Sequence, residues 1–251
     1  MTTTVSESGH ITVTVDGDCA RVTLVRPDVR NAQTPQMWVE LATIADEMSR
    51  LSEQVRFVVL TGEGQDFSAG LDRNALAGSM VADLQRDPNA FISAAQEGFS
   101  AWTRLPQTVI AVVHGNAIGA GFQLALASDL IIATPDARFA MRETSIGLIP
   151  DLGGTGALID ALGYRRTFAL CATGEYLSAE DAHRWGIVHR IAEDQELELT
   201  NLLDQLRAID SGAVTDLKTL LRGVARDQDS WDREREIQIQ RLATLFGTHS
   251  S

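Results

Sequence analysis

A chain of 251 residues with 44% hydrophobic content can bury one large core, and its formal net charge of −13 argues against a surface for nucleic acid or an anionic membrane, either of which needs a basic face. Its two cysteines, Cys19 and Cys171, have neither metal-ligand nor redox spacing, so no disulfide framework is implied and reduced thiols in a cytoplasmic setting are expected. The polar N-terminus (MTTTVSESGH) lacks the apolar centre of a signal peptide, and no apolar run approaches the length of a membrane span, which predicts a soluble intracellular protein.

Residues 11–15 and 20–25 alternate or run apolar around Asp16-Gly17-Asp18, which predicts a hairpin closed by Arg26-Pro27. Thr34 is a candidate cap and Pro35 suits a first helical turn. Met37, Trp38, Leu41, Ile44, Ala45 and Met48 then recur at helical spacing, predicting an amphipathic helix to about Leu51. A strand at 56–61 leads through Gly62-Glu63-Gly64 to the segment FSAGLD (Phe67 to Asp72). The polar stretch from Arg73 to Pro88 reads as a mobile loop or lid, and a helix is predicted from about Asn89 to Leu105. A strand at 109–113 precedes a small-residue turn and a helix from about Ala117 to Ala127. After Asp129 come a strand (Leu130 to Ala133), short helical pieces around 143–148, 154–162 and 164–172, and a Gly186-Ile187-Val188 element. Beyond Asp194 only helices are predicted, at about 195–209, 213–226 and 231–246, so the chain divides into an α/β core (1–193) and a helical C-terminal region (194–251). No fixed-period repeat or low-complexity tract interrupts it.

Two segments carry the chemistry. FSAGLD and HGNAIGAGFQLALASD (His114 to Asp129) each follow an apolar strand and break at small residues, where the backbone can turn sharply and leave N–H groups uncovered. Two such turns can aim two donors at one developing oxyanion, each worth roughly 10²–10³ in rate; either could equally be a packing turn with no chemistry. Leu124 stands where a dinucleotide loop needs its third glycine, no G-K-[ST] is present, and neither Ser68 nor Ser145 has the flanking glycines of a nucleophile elbow. The histidines have no metal-ligand spacing, and His114 reads as a hydrogen-bonded core residue. Glu143 and Asp151, joined by a mostly apolar segment, are the candidate proton-transfer groups. Taken singly, Glu143 also suits a helix N-terminus, and Asp151 a turn or N-cap.

These segments, with FAMRETSIGLIPDLGGT (Phe139 to Thr155), TGEYLSAEDAHRWGIVHRI (Thr173 to Ile191) and the early RPDVRNA (Arg26 to Ala32), resemble in order and spacing the crotonase superfamily of enoyl-CoA hydratases and isomerases over residues 10 to 230. The resemblance implies an α/β spiral of repeated β-β-α units with a C-terminal helical trimerisation region. It also implies an acyl-CoA thioester substrate, no cofactor beyond the CoA that belongs to that substrate, and a homotrimer or hexamer. Carried over by residue, it places the oxyanion-hole donors on the backbone N–H groups of Leu71 and Ala120. Ala69 and Asp72 fall beside the CoA path, with Arg26 and Arg30 near its phosphates. The second glutamate of the hydratase pair falls on Glu143, while the first falls on Gln123, whose amide cannot move a proton. Asp151 matches a position acidic in several isomerases of the superfamily. The expected activity is therefore enoyl-CoA isomerisation, with enoyl-CoA hydration and non-catalytic acyl-CoA binding as alternatives. The family's usual last helix has no counterpart here, which predicts a CoA site that is more open or closed by another segment.

Overall fold

The computed structural model describes residues 2–75 and 86–224. Most of the expected loop or lid at 73–88, and the expected helix at 231–246, lie outside the described residues. The described residues up to 201 form one compact unit, and those from 202 to 224 belong to a second.

The predicted hairpin is present as β2 (Ile11–Asp16) and β3 (Cys19–Leu24), with Gly17 at φ 57° between them. An edge strand, β1 (Thr2–Val5), pairs antiparallel with β2. All four of its residues are exposed, so it carries no alternating apolar pattern and was not foreseeable from periodicity. Helix α1 (Pro35–Arg50) starts as expected: Thr34 Oγ1 accepts from Met37 N at 3.3 Å, Pro35 opens the first turn, and the six apolar residues of its stripe are all buried. It carries the chain to β4 (Phe57–Gly62), parallel to β3. Helix α2 (Pro88–Arg104), capped by the Asp87 carboxylate on Ala90 N, leads to β5 (Thr108–Val113). The two helices cross closely because residue 98 is glycine: a Cβ there would stand 2.5 Å from the Trp38 carbonyl oxygen.

Beyond β5 the structure departs from the predicted helix over Ala117–Ala127. Asn116–Ile118 forms β6, paired with β8 (Arg138–Ala140), and helix α3 runs only from Ala120 to Leu126. Backbone pairing with a distant strand overrides the local helical pattern. Strand β7 (Leu130–Ala133) lies between β5 and β10 (Arg190–Ile191) in a seven-stranded sheet of order β1-β2-β3-β4-β5-β7-β10. A smaller sheet holds β6, β8 and β9 (Leu177–Ser178). The two helical pieces expected at 154–162 and 164–172 form α4 (Gly154–Thr173), broken at Gly163 with φ 70° and ψ 170°. After α5 (Ala179–Arg184), the 186–188 element is a turn rather than a strand. Ile187 and Val188 both donate their N–H to the Ala182 carbonyl, and their side chains are buried, so their apolar character reflects the core. Helix α6 (Gln195–Arg207) follows, and in the second unit α7 (Ser211–Val224) begins with Asp210 Oδ1 accepting from Ala213 N at 2.8 Å. Among the described residues no helix is long and apolar enough to cross a membrane.

Candidate active site

The two small-residue turns meet, and backbone hydrogen bonds hold them together. Phe67 N donates to the His114 carbonyl, Ser68 N to that of Asn116, and Ile118 N back to that of Ser68, each at 2.9 Å. On its other side the first turn is pinned to Gln33, whose N–H donates to the Gly70 carbonyl at 2.7 Å and whose carbonyl accepts from Asp72 N at 2.8 Å. The Leu71 N–H lies between those two bonds and has no acceptor among the described residues. The N–H of Ala120, first residue of α3, likewise has none, as the opening of a helix leaves its first donors unpaired. Both residues line one cavity of about 760 Å³. The site therefore presents two unused donors to a common space.

Buried amides support this arrangement, and sequence reasoning missed them. Asn31, at φ 53°, accepts from Arg26 N and donates through Nδ2 to the carbonyls of Glu63 and Asp66 at 2.8 and 2.7 Å. Gln33 donates to Ser68 Oγ at 3.1 Å and accepts from Trp38 Nε1 at 2.9 Å. Polar residues between apolar elements were the only signal, and that pattern is shared by every surface turn.

Glu143 opens a 3-10 turn (Glu143–Ile146) on the cavity wall. Gln123 Nε2 donates to its Oε1 at 2.7 Å, while Oε2 is buried with no hydrogen-bond partner. Burial pushes the Glu143 carboxyl above the usual carboxylate range. Its own backbone N–H and the Gln123 amide pull it back, and the nearby Asp151 charge pushes it up. Asp151 lines the same cavity, and partial burial raises its carboxyl too. It is not a helix cap: α4 is entered through Gly153 at φ 92°, without a side-chain cap. Two carboxyls whose burial shifts them upward thus face one cavity, and an upward shift suits a carboxyl to proton transfer.

Of the remaining expected residues, Arg30, Ala69, Asp72 and Gln123 line the cavity. Arg26 does not: its guanidinium lies 3.0 Å from the Asp72 carboxylate and donates to the Ala32 carbonyl, so it braces the first turn. Arg30 keeps a side chain 71% exposed at the rim, 3.8 Å from the Asp66 carboxylate. His114 is half-buried rather than core, bonded through Nε2 with the Gly64 carbonyl at 3.0 Å. Phe91, Ile92, Leu148, Ile149 and Tyr176 also line the cavity but were not anticipated, because apolar residues on a helix or loop read first as packing. Among the described residues no cluster of His, Cys, Asp or Glu could hold a metal ion.

The chain matches the family model described as enoyl-CoA hydratase/isomerase over residues 15–249. It is 36% identical to 1,2-epoxyphenylacetyl-CoA isomerase of Escherichia coli K12 over 179 residues, covering 70% of this chain and 67% of that protein. It is also 36% identical to carnitinyl-CoA dehydratase of the same strain over 193 residues, covering 76% and 70%. A Thermobifida fusca YX protein solved in complex with acetoacetyl-CoA superposes with a TM-score of 0.88 at 38% identity, covering 94% of this chain and 95% of that one. An enoyl-CoA hydratase from Bacillus anthracis superposes with a TM-score of 0.84 at 26% identity, covering 95% of each. With the interlocked turns and the paired carboxyls behind it, this likeness places the chain in the enoyl-CoA hydratase/isomerase family, the crotonase superfamily, with that superfamily's fold.

Proposed function

We propose that the chain is an enoyl-CoA isomerase that moves a double bond through an enolate. The thioester oxygen of a 3-enoyl-CoA is held by the Leu71 and Ala120 N–H groups, and the acyl part lies in the cavity beside Glu143 and Asp151. One carboxylate takes a proton from C2. The C–H electron pair moves into the C1–C2 bond and the carbonyl π pair onto the thioester oxygen, giving a dienolate whose charge is shared by that oxygen, C2 and C4 and whose oxygen the two backbone donors stabilise. A proton returned to C4 by the same carboxyl or by the other leaves the double bond between C2 and C3. No electron acceptor is needed, and CoA stays attached throughout.

The observation that carries this reading is the 2.7 Å hydrogen bond from Gln123 Nε2 to Glu143 Oε1. Hydration with a water held between two carboxylates needs a gap and a second proton-transfer group; here the two side chains touch and one of them is an amide. Arg30 at the rim supports CoA phosphate binding, and the family resemblance supports a homotrimer or dimer of trimers, readable by sedimentation. The direct test is to supply a 3-enoyl-CoA and, separately, a 2-enoyl-CoA. Formation of conjugated thioester from the first, faster than 3-hydroxyacyl-CoA from the second, is expected. Dominant hydration would overturn the isomerase reading, and tight binding of both with neither product would leave an acyl-CoA-binding protein.

A further inference from the structure

Gln123 is 1% exposed, and both heteroatoms of its amide are engaged. Its Oε1 accepts from Leu152 N at 2.9 Å and from Gly154 N at 3.3 Å. The amide therefore cannot turn end for end, since an NH₂ in that place would face two N–H donors. Packing closes the same space: a Cβ on Gly154 would stand 2.8 Å from Gln123 Cγ. With its oxygen held on one side, the amide must point Nε2 at Glu143 Oε1.

Building on the isomerase reading, we propose that Gln123 is a positioning residue. It keeps Glu143 Oε1 as a permanent hydrogen-bond acceptor, favours the exchangeable proton of that carboxyl on Oε2, and holds the backbone flanking Asp151 with the same amide. Oε1 already has one lone pair engaged by Gln123 Nε2 while Oε2 has no partner, so a proton taken up by Glu143 is favoured on Oε2. The two oxygens of Glu143 are then inequivalent, and the carboxyl is held in one orientation before substrate arrives. The charged and titratable groups around Glu143 are Asp151, whose charge raises it, the neighbouring Arg142, and Cys171, whose thiol Glu143 in turn pushes up. Against burial and Asp151, the Gln123 donor favours the ionised base, and its loss moves the carboxyl further up.

The variant Gln123→Glu keeps an acceptor for Leu152 N and Gly154 N but replaces the permanent N–H donor to Glu143 with a titratable carboxyl, whereas Gln123→Met removes both donor and acceptor. Carboxyl titrations of ¹³C-labelled glutamate in the ligand-free protein, with the Glu143 signal assigned through Glu143→Gln, read the effect without turnover. In Gln123→Glu the two carboxyls are expected to share one proton, lost at least about one pH unit above the wild-type Glu143 value. The acid limb of the isomerisation rate is expected to move with it, while the melting temperature stays near wild type. In Gln123→Met the limb also moves up, and the melting temperature falls because two buried N–H groups lose their acceptor. A Glu143 titration that is the same in both variants as in wild type would overturn the proposal, whatever reaction the enzyme catalyses. So would a Gln123→Met protein with wild-type stability and pH profile. Should the protein prove not to isomerise, the isomerase reading alone fails and the titration still decides the role of Gln123.

Discussion

Gly70 lies so close to the second turn that a Cβ built on it would stand 3.5 Å from Ala120 N and 2.4 Å from the Ile118 carbonyl oxygen. The two candidate oxyanion donors, on Leu71 and Ala120, belong to segments held in backbone-to-backbone contact, and that contact depends on a missing side chain. Gly70 also sits at φ 87°, where an L side chain is strained.

Gly70→Ala is accordingly expected to destabilise the fold by about 1–3 kcal/mol and to lower turnover by at least the roughly 10²-fold worth of one misplaced donor. Denaturant unfolding and steady-state rates check the two effects. A variant with wild-type turnover would mean that these N–H groups do not hold the thioester oxygen.

Glu143→Gln and Asp151→Asn are each expected to cut turnover by roughly 10²–10⁴-fold while acyl-CoA affinity changes only a few-fold. Calorimetric binding beside initial rates separates the two quantities. If one variant keeps its full rate, the other carboxyl performs both proton transfers.

The Glu143 carboxyl is raised above its unfolded value, chiefly by burial, so the native state holds its proton to higher pH than the unfolded chain does. Stability from this group is greatest below the ordinary carboxylate pKa and falls as pH rises through the raised native value. Glu143→Gln, which keeps an acceptor for the Gln123 amide, should therefore gain stability over wild type at neutral pH and lose that advantage in acid. Urea unfolding from pH 4 to 8 reads the difference. An advantage that grows in acid would contradict the burial of this carboxyl. The wild-type isomerisation rate should fall below a pH lying above the ordinary carboxylate range, because the base must be ionised.

The two arginines of the early motif should separate by phenotype. Arg26→Met breaks the 3.0 Å pair with Asp72, in which the side chains are 17% and 11% exposed, and should cost about 2–3 kcal/mol of stability. Arg30→Ala, at an exposed rim position, should leave stability unchanged and raise KM for the CoA thioester several-fold. A Michaelis constant indifferent to Arg30 would place the CoA phosphates elsewhere.

Hairpin, helix and buried strands were legible from residues 11 to 113 because their signals are local: the Asp16-Gly17-Asp18 turn, the Thr34-Pro35 start and the apolar stripe of α1 all act within a few residues. The motifs around Phe67, His114, Phe139 and Thr173 were enough to indicate the superfamily, and they brought Leu71, Ala120, Glu143 and Asp151 forward as one set. Sequence showed that Gln123 is an amide where a carboxylate was expected. It could not show which way that amide faces, because the orientation is set by Leu152 N and Gly154 N, about thirty residues away and delivered by a different turn. The fate of Arg26 was hidden for the same reason: its partner Asp72 lies on the far side of α1 and β4 in the chain, and only the parallel packing of β3 on β4 brings the two together. Ala117 and Ile118 read as the start of a helix by local pattern and become part of a strand because β8 offers them hydrogen bonds. Local periodicity determines which face of an element is buried; contacts between distant segments determine which polar atoms remain free for chemistry, because satisfying every other buried donor and acceptor is a property of the whole fold.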